Sequence, residues 1–131
     1  MNNRFSKGYL EDAGTDIILD KDILLSPGLN VIDLNVSVVI KEGTCGIIAP
    51  RSSAAKKGIF IANCPIDANY SGNVHAMVFN LTTEPIKYTI GTSFCQIIIL
   101  QISQPDFQYN VKKSGKRSLS NFGGTDNANN S

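Results

Sequence analysis

The chain has 131 residues, with 12 Lys and Arg against 11 Asp and Glu, one His, three Cys and no Trp. That length fits one domain, and 42% hydrophobic with 18% charged residues excludes wholesale disorder. A net charge of +1 argues against a dedicated nucleic-acid binder, and no apolar run approaches the roughly 18 residues of a membrane span.

The opening residues, Met1 to Lys7, lead into no apolar segment of signal-peptide length. The expected location is therefore cytoplasmic, in the host cytoplasm if the gene is viral. Asp12-Ala13-Gly14-Thr15-Asp16 then sets two carboxylates beside a glycine, just ahead of a β-rich run at 17–19. Either carboxylate is explained equally well as a turn cap. A second β-rich run, 23–25, stops at the turn Ser26-Pro27-Gly28. Leu34, Val36, Val38 and Ile40 alternate with Asn35 and Ser37, the period of a half-buried strand.

Residues 46–49 read as the next strand. Pro50-Arg51-Ser52-Ser53 follows, with a short helix predicted over 53–57 and ended by Gly58. A guanidinium and two hydroxyls at a helix start make an anion cradle, although a serine there also serves as an ordinary N-cap. Runs at 59–62 and 74–79 flank Asn63 to Asn73, where Asp67 and Tyr70 sit among turn residues. Asp67 read alone is a turn residue, and Tyr70 a core ring with its hydroxyl at the surface.

Ile86, Tyr88 and Ile90 alternate again, and 94–102 closes the β-rich body. Many short strands without alternating helices predict an antiparallel sandwich or barrel. Residues 112–131 differ: Lys112, Lys113, Lys116 and Arg117 face Asp126 alone, and only Leu119, Phe122 and Ala128 are apolar. Such a segment buries too little surface to offset its chain entropy. The expected division is a β domain over 1–111 and a flexible arm over 112–131. Cys45, Cys64 and Cys95 are spaced 19 and 31 residues apart with no C-x-x-C, so reduced thiols are expected rather than a zinc site.

Five segments in order resemble the trimeric all-β deoxyuridine triphosphatases (dUTPases). They are Ala13-Gly14-Thr15-Asp16-Ile17, then Pro50-Arg51-Ser52-Ser53-Ala54 with Lys57-Gly58, and Ile66-Asp67-Ala68-Asn69-Tyr70-Ser71-Gly72. Gly91-Thr92-Ser93-Phe94-Cys95-Gln96-Ile97 and residues 117–125 complete the set. The third is the most diagnostic. Departures are Ser93 for a basic residue, Ser118 for a glycine, Asn73 for an acid, and Asp126 for a glycine.

The resemblance implies an all-β fold, a distorted antiparallel β-barrel or jelly roll, and hydrolysis of dUTP to dUMP and pyrophosphate. It implies Asp67 as the general base, acting on the water that attacks the α-phosphorus. Tyr70 would pack on the deoxyribose and exclude a 2′-hydroxyl, while Asn63, Ile66 and the backbone at His75 would lie near the uracil. Arg51, Ser52, Ser53 and Gln96 would hold the phosphates, and Asp16 would act through water on Mg2+. Arg117, Phe122, Gly123, Gly124 and Thr125 would close over a neighbour's site, so a homotrimer with shared sites is implied. Two other readings differ in class. A nucleotide-binding regulatory relative with weak catalysis would fail to turn over dUTP. A dCTP deaminase relative needs a glutamate near the base, and Glu11, Glu42 and Glu84 all lie outside 63–79.

Overall fold

Short β-branched and aliphatic runs separated by Gly, Pro and Asn become strands in a computed structural model, which describes residues 3–112. In chain order these are β1 (Phe5–Ser6), β2 (Gly14–Ile17), β3 (Ile23–Leu25), β4 (Gly28–Asp33) and β5 (Thr44–Pro50). The helix α1 (Ser52–Lys56) comes next, followed by β6 (Ile59–Ile61), β7 (His75–Asn80), β8 (Ile86–Tyr88) and β9 (Cys95–Gln101). They form three antiparallel sheets, ordered β1-β2-β9-β5, β3-β8 and β4-β7-β6. Among the described residues the strands do not close into one continuous ladder; the barrel is a distorted one made of three pieces around one core.

Alternation decides which faces meet. On β7, Ala76, Val78 and Asn80 point inward between the half-buried His75, Met77 and Phe79. Ile17, Leu25, Leu34, Ile66, Val74, Val78, Phe94 and Cys95 are fully buried, each large aliphatic or aromatic contributing about 1.5–3 kcal/mol of transfer free energy. Burial pushes the Cys95 thiol up to about 12, which makes it inert. Cys45 and Cys64 are likewise free thiols. The buried Asn80 amide is fully used: it donates to Leu25 and Glu84 carbonyls (2.9 and 2.8 Å) and accepts from Thr82 N and Oγ1 (2.9 and 2.7 Å).

The β-rich run read at 17–19 is instead a strand over Gly14–Ile17, which puts Asp16 on the strand rather than in the loop ahead of it, and two further segments depart from the sequence expectation. Residues 34–40 form no regular strand, because Asn35 takes φ 53° and breaks the extended backbone. The alternation survives in burial: Leu34, Val36 and Ile40 are buried while Val39 is 92% exposed. Leu34 N still donates to Val74 O, and Val74 N to Val36 O. The second of these is β4, which the turn signal at 26–28 concealed. Leu29 (57% exposed) and Val31 (60%) face outward, and Ile32 alone of its large apolar residues packs on the core, so the pattern lacks a buried stripe.

Candidate active site

Sheet register brings three distant segments abreast. Asp16 on β2 lies opposite Gln96 on β9, which lies opposite Ala49 on β5. β5 then ends at Pro50, and Arg51 is fixed by its N–H donating to Phe94 O at 2.9 Å. Gln96 Nε2 donates to Pro50 O at 3.1 Å. Its side chain crosses directly over Gly14, where any Cβ would overlap the Gln96 amide. Any larger residue at position 14 would have to push the Gln96 side chain aside.

Gly14, Asp16, Arg51 and Gln96 line an open cleft of about 640 Å3, together with Ser6, Lys7, Gly8, Asp12, Ala13, Ser52, Ser53 and Lys56. Arg51 Nε lies 3.4 Å from Asp16 Oδ2, an ion pair whose exposure keeps it weak. It leaves the guanidinium able to exchange partners when an anion enters. Arg51, not a serine, is the N-cap residue of α1, and no side chain caps that helix. The serine hydroxyls are therefore not spent on capping. Three cations, Lys7, Arg51 and Lys56, outnumber Asp12 and Asp16, which suits a polyanion.

Lys7 and Lys56 were not among the residues expected from sequence. Lys56 enters because one turn of α1 carries it back over Ser52 and Ser53, a helical spacing that could have found it. Lys57 instead lies over the Tyr88 ring, 5.4 Å from its centroid. Lys7 enters only through the long-range pairing of β1 with β2, which sets Ser6 opposite Asp16. No local signal announces that.

The second group lies on the connection 62–74 between β6 and β7. Ile66 is a core residue, and both its backbone groups pair with Gly46 (2.9 and 2.7 Å). That pairing anchors the next residue, Asp67. Asp67 is exposed and starts a turn closed by Tyr70 N donating to Asp67 O at 3.2 Å, with Asn69 at φ 72°. Tyr70 is half-buried; its hydroxyl donates to Asn73 O at 2.8 Å. Burial, and secondarily the Asp33 charge, holds that hydroxyl above its ordinary pKa, so it stays a neutral donor. His75 Nδ1 lies 3.1 Å from the same Asn73 carbonyl. Asn63 is exposed at the start of the connection.

No residue of 62–74 lines the Arg51 cleft. The two groups are separate surfaces of one chain. Arg117, Phe122, Gly123, Gly124 and Thr125 lie outside the described residues. Among the described residues no three His, Cys, Asp or Glu gather as metal ligands, and no helix is long and apolar enough to cross a membrane.

A family model for dUTPase matches residues 3–125. A deoxyuridine 5′-triphosphate nucleotidohydrolase of Yarrowia lipolytica is 35% identical over 125 residues, covering 92% of this chain and 80% of that protein. The enzyme of the same name from Corynebacterium glutamicum is 34% identical over 107 residues, covering 78% of this chain and 72% of its own. Among solved structures, the native EIAV dUTPase superposes with a TM-score of 0.73 at 27% identity, covering 87% of this chain and 96% of that one. A mutant dUTPase from phage phi11 of S. aureus, described for its coordination of a structural Mg(II) ion, shares the fold at 22% identity with a TM-score of 0.72, over 86% and 92% of the two chains.

Proposed function

The chain belongs to the dUTPase family, and on that premise we propose how its residues divide the work of hydrolysing dUTP to dUMP and pyrophosphate. The observation that carries this reading is the meeting of Asp16, Gln96 and Arg51 at a cleft with three cationic side chains. Arg51, Ser52, Ser53 and Gln96 hold the phosphates there, and Lys7 and Lys56 add positive charge. Asp16 and Asp12 supply hard carboxylate oxygens, a donor set that fits Mg2+ carried by the triphosphate and held by the protein through water. Bound in that way, Mg2+ neutralises phosphate charge and helps fix the triphosphate for in-line attack.

Asp67 serves as general base, holding a water and taking its proton as the α-phosphorus is attacked. A carboxylate is a weak base, so the value of Asp67 lies in aim as much as in basicity. Tyr70 packs on the deoxyribose and leaves no room for a 2′-hydroxyl. Asn63 and the backbone at His75 read the uracil edge.

The cleft and the 62–74 connection do not share a pocket, which supports a site built from several copies of the chain. A homotrimer satisfies this, with the cleft of one copy facing the hairpin of another. Residues 112–131 form the arm in this reading: Arg117 reaches the γ-phosphate, Phe122 covers the uracil, and Gly123, Gly124 and Thr125 donate to the β- and γ-phosphates. The outward apolar side chains Leu29, Val31 and Phe60 favour burial against another copy. Pyrophosphate release assayed across dUTP, dTTP, dCTP and UTP, with and without Mg2+, tests the whole. Mg2+-dependent release confined to dUTP is expected; release from dTTP or UTP at comparable rates would overturn it.

A further inference from the structure

We propose that Asp33 is a positioning residue that holds Tyr70 against the sugar, acting through Asn73 and His75, and so sets the discrimination between dUTP and UTP. This rests on the reading of Tyr70 given above. Asp33 ends β4, and register places it directly opposite His75 at the start of β7. Its Oδ2 lies 3.7 Å from His75 Nε2 and accepts from Asn73 Nδ2 at 3.4 Å. Its Oδ1 accepts from Asn35 N at 2.8 Å.

The carboxylate is therefore fixed from its own side before it touches the hairpin. The left-handed Asn35 (φ 53°) turns its N–H back onto Asp33, a local closure that Asn backbone geometry favours. That hydrogen bond, with the Asn73 amide and the charge of His75 behind it, keeps the Asp33 pKa below its ordinary value. Asn73 Nδ2 also reaches Asn35 Oδ1 at 3.4 Å.

Asn73 is the relay. Its side chain is tied to the β4 end, while its carbonyl accepts the Tyr70 hydroxyl at 2.8 Å and faces His75 Nδ1 at 3.1 Å. A shift of Asn73 moves the acceptor that orients the Tyr70 ring. Sugar selection by a ring face is steric, so small displacements matter: misplacement by about 1 Å costs up to ~10²-fold in rate. Asp33, Tyr70, Asn73 and His75 do not line the Arg51 cleft, so the expected effect falls on the sugar rather than on phosphate binding.

The test compares kcat and KM for dUTP and UTP in the full-length protein and in Asp33→Ala, Asp33→Asn and Asp22→Ala. Asp22 also pairs with a base (Lys87, 3.8 Å) and accepts a backbone N–H (Ile90, 2.7 Å), but at β3 and β8. In Asp33→Ala the preference for dUTP over UTP, as kcat/KM, should fall by about tenfold, mostly through KM. Asp33→Asn, which keeps an acceptor, should recover part of it, and Asp22→Ala should match the parent. An unchanged preference in Asp33→Ala, with the parent active on dUTP, would overturn the proposal while leaving the dUTPase reading intact. Amide exchange at Tyr70 in the unliganded protein gives a readout independent of turnover. It should quicken by about tenfold in Asp33→Ala and stay unchanged at Ile48; equal rates at Tyr70 would also overturn the clamp.

Discussion

Gly14 and Gln96 share a volume that only one side chain can fill: the Gln96 amide lies where a Cβ on residue 14 would stand. The same amide is held to Pro50 O, next to Arg51. A backbone position on β2 thus fixes the direction of a phosphate-facing group on β9, beside the guanidinium that follows β5.

Gly14→Ala follows from this. The new methyl must displace the Gln96 side chain, because the β2–β9 ladder holds the backbone on both sides. Loss of one oriented hydrogen bond to the triphosphate is worth about 1–2 kcal/mol, so KM for dUTP should rise about fivefold to thirtyfold. Steady-state kinetics with matching circular dichroism checks it. A variant with the parent KM would show that Gln96 has no part in binding.

Asp67→Asn keeps the turn, since its closing bond runs from Tyr70 N to the backbone carbonyl of residue 67. The carboxamide cannot accept the water's proton. Affinity for a non-hydrolysable dUTP analogue should stay within about threefold, while kcat falls by at least ~10². Retained turnover would remove Asp67 from the role of base.

Much of this was legible in the sequence, and the gaps have physical causes. β9 carries a dense apolar run because it lies between β2 and β5 in the four-stranded sheet, and α1 announces itself through Gly58, which takes φ 97° just past its end. Asp16, Arg51, Ser52, Ser53 and Gln96 could be grouped by resemblance, and register now gives the reason they meet. Asp33 and Lys7 were not legible, because their partners lie across strand pairings that no local spacing encodes. The strand expected at 34–40 failed for a different reason. Asn35 satisfies a left-handed turn with Asp20 and Asp33, and that local chemistry outweighs a period-two pattern.

Removal of residues 115–131 separates the proposed arm from the body. Every strand of the described fold ends by Gln101, so the truncated chain should keep its thermal midpoint and its oligomeric state. Activity on dUTP should drop by about tenfold or more if the arm completes the site. Sedimentation, thermal unfolding and turnover on the same preparation test the division, and full activity in the truncated protein would show that the site closes without the arm.

Asp20 ties acid stability to the same left-handed turn. Asn35 Nδ2 donates to Asp20 Oδ2 at 2.7 Å, and Arg4 Nη1 lies 3.5 Å from the same oxygen. The Asn35 hydrogen bond first, and the Arg4 charge after it, hold the carboxyl below its ordinary value. Arg4 is itself fixed, with Nε donating to Ile18 O at 2.6 Å and Nη2 to Leu34 O at 2.9 Å. A carboxyl lowered on folding binds its proton more readily when unfolded, so it stabilises the native state above the unfolded pKa of about 3.9. That contribution fades as pH falls through the lower folded value. Asp33, lowered in the same direction, adds to the effect. Asp20→Asn retains an acceptor for Asn35 but carries no charge. Its urea midpoint should lie below the parent's at about pH 7 and converge on it as pH drops toward about 2, once both carboxyl forms are neutral. Parallel curves across that range would mean that the Asp20 charge does not support the fold.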